Sequence, residues 1–337
     1  MRLLRFLPIA ILWFAHASFG QLVGNVTPAG RIPLDGFMKW DEVRNEAIVY
    51  RHQLSRSQAE APVEVFDLST GAKRTLDILK DFPQASKAIV SDVAFGNGAR
   101  IVVACRLKYP SSDRLKQLIL TYEPSLTLEK IWDVAPYEPR QIAVDGGGNV
   151  YSLGIRTIYD DGTHPQYGIL VVYDSEGRVV REMLPRTMFP PEVDPAGASQ
   201  ELGTARIQLT DSRIFLYLPR VDCIIQLNKD GTILNRVGVR EAFSRVAQEK
   251  GYSEFFVRED YFSSVGELWA GLILAAPPER KVDSLVVQLE RDGNATVRNE
   301  EENRFSLRLA GVTFSNQPLF RTMDESRMPS TLQVGKP

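Results

Sequence analysis

Residues 140–153 read RQIAVDGGGNVYSL, from Arg140 to Leu153. Two short apolar runs flank a cluster of Asp, Gly and Asn, which is the pattern of two antiparallel strands joined by a tight turn. Downstream, Gly168 to Tyr173 (GILVVY) and Val179 to Met183 flank Asp174-Ser175-Glu176-Gly177, so a second hairpin follows the first. Four strands fit into about 45 residues.

The same phrase recurs along the chain. Second strands of matching character begin at Ile48 (IVY), Ile101 (IVVAC), Val150, Ile214 (IFLYL), Leu268 (LWAGL) and Leu319 (LFR), on average about 54 residues apart. Closing hairpins recur at Val65 (VFDLSTGAKRTL), Tyr122 (YEPSLTLEKI), Val172 (VYDSEGRVVREM), Gln226 (QLNKDGTILNRV) and Gln288 (QLERDGNATVR). Lys229-Asp230-Gly231 and Arg291-Asp292-Gly293 set Gly where a tight turn needs positive φ. A period of this length with four strands per unit predicts an all-β, six-bladed β-propeller. The sixth unit lacks its last strand, because the chain stops at Pro337 soon after Ser330–Val334. An unpaired sheet edge invites aggregation, so Gln21–Thr27 (QLVGNVT) is expected to supply the outer strand of that unit and close the circle.

The run from Ile142 to Tyr151 resembles the repeat phrase of NHL-type six-bladed propellers, the broad group that includes gluconolactonase-like proteins. The likeness is strong in that unit, recognisable in the second and fourth, and poor in the others. It implies the fold and no particular activity, since propellers host many functions.

Ahead of the repeats, Met1–Arg5 carries two positive charges, Phe6–Ala15 is an apolar run broken by Pro8, and Ala15-His16-Ala17 has the small-x-small form of a cleavage site. Ser18-Phe19-Gly20 offers a second cut. This reads as an export leader over residues 1–20, because the run is about half the 20 apolar residues that a membrane crossing needs. Residues 21–337 then form one domain, secreted or periplasmic, with no membrane span, and expected to be a monomer. The 40 basic and 42 acidic residues give a net charge of −2, made more negative by loss of Arg2 and Arg5, so no nucleic-acid partner is expected. Cys105 and Cys223 fall in strands two repeats apart, and two buried free thiols are expected instead of a bridge.

The short turns of every unit emerge on one face and the long loops on the other: 52–62, 107–116, 157–167, 185–203, 240–260 and 275–283. Loops on a rigid scaffold are where binding resides, so the long-loop face is the expected working face. There, Phe243, Val246 and Ala247 follow helical spacing up to Gly251, a short amphipathic helix that would either lie over the channel as a lid or plug a gap. Pro185–Pro195, with four prolines, reads as a stiff arm presenting or pinning Met188 and Phe189.

Strands reach this face with Arg51, Arg106, Arg156, Arg220 and Arg321, and Arg140 opens a strand beside the channel; converging, they would suit a small anionic ligand. Oxygen ligands for calcium could come from Glu138, Asp160, Asp161, Asp194, Glu259 and Asp260. Behind the leader only His52 and His164 remain, too few for zinc held by three histidines, and no Gly-x-Ser-x-Gly elbow marks a serine nucleophile. Gly146–Gly148 has no helix after it and is a β turn, not a phosphate cradle. Asn25-Val26-Thr27 and Asn294-Ala295-Thr296 are sequons that matter only in a glycosylating cell. The expected function is therefore that of a binding or scaffold module without a cofactor, receiving a small anionic ligand or a protein on the long-loop face. The alternative is a calcium-dependent hydrolase or lactonase with its site in the channel.

Overall fold

The computed structural model describes residues 24–26, 37–50, 63–156, 167–276, 281–301, 307–313, 316–323 and 329–334. Among them the strands form six four-stranded antiparallel sheets. Five are consecutive in the chain. The first holds β2 (Phe37–Asp41), β3 (Glu46–Tyr50), β4 (Val63–Asp67) and β5 (Lys73–Leu76), and the second β6 (Lys87–Phe95), β7 (Ile101–Lys108), β8 (Leu115–Tyr122) and β9 (Leu128–Asp133). The third holds β10 (Tyr137–Val144), β11 (Val150–Arg156), β12 (Gly168–Tyr173) and β13 (Val179–Pro185). The fourth is β14 (Arg206–Leu209), β15 (Arg213–Leu218), β16 (Cys223–Asn228) and β17 (Ile233–Gly238), and the fifth β18 (Glu254–Phe262), β19 (Leu268–Ala276), β20 (Lys281–Leu289) and β21 (Ala295–Glu301). The last sheet joins β22 (Leu307–Val312), β23 (Pro318–Met323) and β24 (Pro329–Val334) to β1 (Gly24–Val26) from the other end of the chain.

First strands touch in cyclic order, β2 to β6, β10, β14, β18, β22 and back to β2. The fold is an all-β propeller. Its closure follows the expected pairing, with Gly24 opposite Val334, Asn25 opposite Gln333 and Val26 opposite Leu332. Second strands are buried almost throughout because they are covered on both faces by neighbouring sheets, and for that reason they read as unbroken apolar runs such as IVVAC and IFLYL. Outer strands alternate or lie open, as β9 and β17 do.

One interlock repeats between neighbouring sheets. A residue near the end of an outer strand sits under the hairpin glycine of the next sheet: Trp132 under Gly177, Met183 under Gly231, Val237 under Gly293. These glycines have φ of +78, +97 and +93, and a Cβ on Gly177 would lie 2.5 Å from the Trp132 ring. Two residues before each packed side chain, a polar one donates to a carbonyl in the same hairpin: Lys130 Nζ to Ser175 O at 2.8 Å, Arg181 to Lys229 O at 2.7 Å and Asn235 to Arg291 O at 2.9 Å. Arg74 on β5 makes the equivalent bond to Pro124 O. Gly is thus required by the close approach as well as by the turn.

On the long-loop side, several segments fold back onto the body. The helix α2 (Val239–Glu249) buries Val239, Ala242, Phe243, Val246 and Ala247 and packs on β18 and β21, which makes it a gap filler and not a lid over the channel. A shorter helical turn, α1 (Ile78–Asp81), is capped by Asp77. In the proline arm Arg186 donates to the carbonyls of Phe189, Pro190, Pro191 and Val193 at 2.8–3.1 Å, so one guanidinium holds a segment whose prolines cannot donate. Phe189 is buried and Met188 exposed. The 107–116 loop shrinks to residues 109–114 because β7 and β8 run further than expected. Both cysteines are free; Cys105 is buried, but Cys223, at the start of β16, is only half-buried. Burial pushes the Cys105 thiol up to about 12.

Gly177→Ala is expected to destabilise the fold by about 2 kcal/mol or more, combining left-handed strain with overpacking against Trp132. Gly146→Ala, whose Cβ would meet nothing within 4 Å, should stay within about 0.5 kcal/mol of wild type. Urea unfolding of both variants checks this; equal effects would show that the interlock does not bear on stability.

Candidate functional site

The first strands enclose a channel cavity of about 270 Å³. Every sheet contributes to it: Phe37–Trp40 from β2, Ala94 and Phe95 from β6, Ile142–Val144 from β10, Arg206–Leu209 from β14, Tyr261 and Phe262 from β18, and Ala310–Val312 from β22. In β6, β10, β18 and β22 these are the later residues of strands that run from the long-loop end to the short turns; the shorter β2 and β14 contribute nearly their whole length. The cavity therefore occupies the short-turn half of the channel, opposite to the expected working face. Its walls carry several aromatic rings, its lining includes the cations Lys39 and Arg206, and among the described residues it includes no carboxylate.

Beneath the lining lies a buried ionic layer. Asp92, 0 % exposed, accepts from the Tyr50 hydroxyl, from Ile142 N at 2.8 Å and from Lys39 Nζ at 3.4 Å. Asp260, 2 % exposed, accepts from Arg206 Nε at 2.5 Å and from Thr204 N at 3.0 Å. The Arg206 guanidinium also sits 5.2 Å from the Phe37 ring centre and 5.8 Å from that of Tyr261, in cation–π range. Burial works against the Arg206 charge, but Asp260 together with Tyr50, Tyr261 and Asp92 outweighs it, and the guanidinium is held above its ordinary value. Burial first, then Asp92, raises the Tyr50 phenol well above its usual range, so it stays a donor.

Local irregularities aim these groups. β6 and β18 shift register between Val90 and Asp92 and between Val257 and Glu259. β10 and β22 shift between Pro139 and Gln141 and between Leu309 and Gly311. A bulge breaks the strict alternation of side chains and re-aims those that follow it, which lets Asp92 and Asp260 turn inward from otherwise apolar strands.

The arginines singled out from the sequence are spent on internal partners. Arg106 and Arg140 both reach Glu138 Oε1 at 2.9 Å, and Arg140 lies 3.9 Å from Asp194. Burial pulls the Arg106 guanidinium below its ordinary value, with Glu138 opposing. Arg156 pairs with Glu182 at 2.8 Å and lies over Tyr167, while Arg220 donates to Ala198 O at 3.4 Å. Only Arg106 and Arg140 are brought together, so the described arginines form no open anion ring. Arg51, Asp160 and Asp161 lie outside the described residues, as does the side chain of Arg321.

Of the oxygen donors, Glu138 and Asp260 are not loop residues; they lie within β10 and β18, each held by guanidinium groups, and Glu259 pairs with Arg258 at 2.8 Å. Among the described residues no cluster of three or more His, Cys, Asp or Glu could hold a metal ion. The long-loop side carries a more open groove of about 420 Å³ between the arm and β16–β17, with Arg220 and Arg236 in its wall. Sequence reasoning missed Lys39, Tyr50, Asp92 and Arg206. The argument that drew attention to Arg140, a charged residue opening a strand beside the channel, applies equally to Arg206 at the head of ARIQL.

No protein-family model and no curated protein matches this sequence. Solved structures share its fold. Virginiamycin B lyase from Staphylococcus aureus is 10 % identical over 93 % of this chain and 97 % of its own, with a TM-score of 0.48. A gluconolactonase from Xanthomonas campestris is 11 % identical over 92 % and 87 %, at 0.48. An auxiliary nutrient binding protein from Bacteroides ovatus is 12 % identical over 91 % and 70 %, at 0.49. Similarities this distant concern the fold and assign no activity to this chain.

Asp260→Asn leaves Arg206 buried without its counter-charge, and a loss of about 3 kcal/mol or more in unfolding free energy is expected. Chemical denaturation measures it. A change under about 0.5 kcal/mol would mean that the pair does not organise the channel floor.

Proposed function

We propose that the chain is an exported, single-domain, six-bladed β-propeller, each sheet one blade, that works as a binding module without catalysis and takes a small organic ligand into its central channel. The observation carrying this reading is the cavity itself. It is shared by the first strands of all six sheets, walled by Phe37, Trp40, Phe95, Tyr261 and Phe262, and furnished with polar groups from Lys39, Arg206 and Gln208; a concave site that combines aromatic walls with placed polar groups is the general form of a small-molecule site. At about 270 Å³ it lies just below the usual range for ligand pockets and favours a small molecule of one or two rings.

Binding is preferred to metal-assisted hydrolysis because the described carboxylates that could gather calcium, Glu138, Asp194, Glu259 and Asp260, already face arginines. A cation would have to displace a guanidinium at each. Export is supported by the charged start, apolar run and small-x-small site of residues 1–20, and no helix among the described residues is long and apolar enough to cross a membrane.

Gly311 lines the cavity, and a Cβ there would meet only Leu319, at 3.9 Å, so Gly311→Trp should fill the channel without disturbing the body. One-ring organic probes that saturably raise the Tm of the wild type are expected to lose that effect in Gly311→Trp; retention of the effect places binding elsewhere. Protein recovered from the exported fraction should have an intact mass lacking residues 1–17 or 1–20. Recovery of the full-length chain inside the cell alone would refute export.

A further inference from the structure

The lining is chemically lopsided in a way that narrows the ligand. Arg206 spends only its Nε on Asp260; its two terminal nitrogens make no hydrogen bond among the described residues, and the side chain borders the cavity. Resting against Phe37 and Tyr261, the guanidinium is held in orientation by ring faces and by Asp260 while its outer fork is left to a ligand. Lys39, also in the lining, reaches Asp92 only at 3.4 Å, long for a charge-assisted bond, so its ammonium can turn toward an added oxygen. Both carboxylates of the layer lie behind, at 0 % and 2 % exposure, and the cations stand in front.

Resting on the channel reading above, we propose that the ligand is a ring-bearing organic monocarboxylate, its two oxygens on the Arg206 fork, Lys39 beside them, and its ring among Trp40, Phe95 and Phe262. A planar fork matches a planar carboxylate in two parallel hydrogen bonds, which a hydroxyl or an amide cannot reproduce. The aromatic walls then bury the ring, which acetate lacks. A phosphate dianion is disfavoured, because its second charge would face Asp92 and Asp260 across a floor whose two cations are already shared.

The test compares sodium benzoate, benzyl alcohol, sodium acetate and inorganic phosphate on the wild-type chain by saturation-transfer NMR and by Tm. Benzoate is expected to bind about tenfold or more tightly than benzyl alcohol, with acetate and phosphate weaker still. In Arg206→Met combined with Asp260→Asn, which removes both buried charges together, benzoate should fall to the level of benzyl alcohol. Lys39→Met, at a partly exposed site, should weaken benzoate alone by a smaller factor and serves if the double variant does not fold.

Equal binding of benzoate and benzyl alcohol, both lost in Gly311→Trp, would overturn the carboxylate inference and leave the channel site standing. Phosphate binding as tightly as benzoate would overturn it as well. Benzoate binding that survives Gly311→Trp would overturn the channel site together with the inference.

Discussion

Three residue pairs, Gly24 with Val334, Asn25 with Gln333 and Val26 with Leu332, tie the start of the described chain to its end. Each repeat is a four-stranded sheet that cannot cover its own faces, so it is stable only between two neighbours. A row of such sheets has two bare ends, and a ring has none. Closing it through a strand from the opposite terminus makes the last sheet a joint product of both ends of the chain, and every inter-sheet contact then has its partner. The channel exists because the circle closes: its lining needs β2 and β22 side by side, residues nearly the whole chain apart.

Between neighbours the contact is stereotyped. Where the outer strand of one sheet meets the hairpin of the next, an apolar side chain sits under a glycine and a polar one two residues earlier holds a turn carbonyl. Individually such bonds are worth about 1 kcal/mol, so their value lies mainly in fixing the angle at which sheets meet. The pairing of third with outer strands also shifts register close to the hairpins, at Thr121/Tyr122, Val172/Tyr173 and Gln226/Leu227 of the third strands, which twists exposed edges away from pairing with another molecule. A rigid rim of this kind lets the centre carry costly features. Asp92 and Asp260 are buried charges, tolerable because each is met by a cation and by a backbone N–H. That layer places carboxylates beneath cations, so the cavity presents its positive side.

Much of the architecture was legible along the chain. Unbroken apolar runs such as IVVAC mark strands covered on both faces, Asp-Gly turns mark the hairpins, and QLVGNVT, a strand with no partner in its own repeat, marks the segment that pairs with Leu332–Val334. Helical spacing over Phe243, Val246 and Ala247 located α2 correctly but could not say what its apolar face meets, and it meets β18 and β21, away from the channel mouth. Loop length, likewise, does not show how a segment packs. The long segments carry their own fasteners, Arg186 on the arm carbonyls and Asp260 on Thr204, and so fold down onto the body.

Local pattern determined the strands, the turns, the repeat period and the need for a closing partner, because each depends on residues near one another and on a period that any stretch of chain reveals. Which charges meet which was decided only by tertiary structure. Arg106, Arg140 and Arg156 look available in the sequence and are taken by Glu138 and Glu182, while Arg206, unremarkable in its own repeat, keeps two nitrogens for the channel. An ion pair is settled by distances of a few ångströms between side chains from different sheets. A single shifted register, such as the one between Val90 and Asp92, is enough to turn a carboxylate from one neighbour to another.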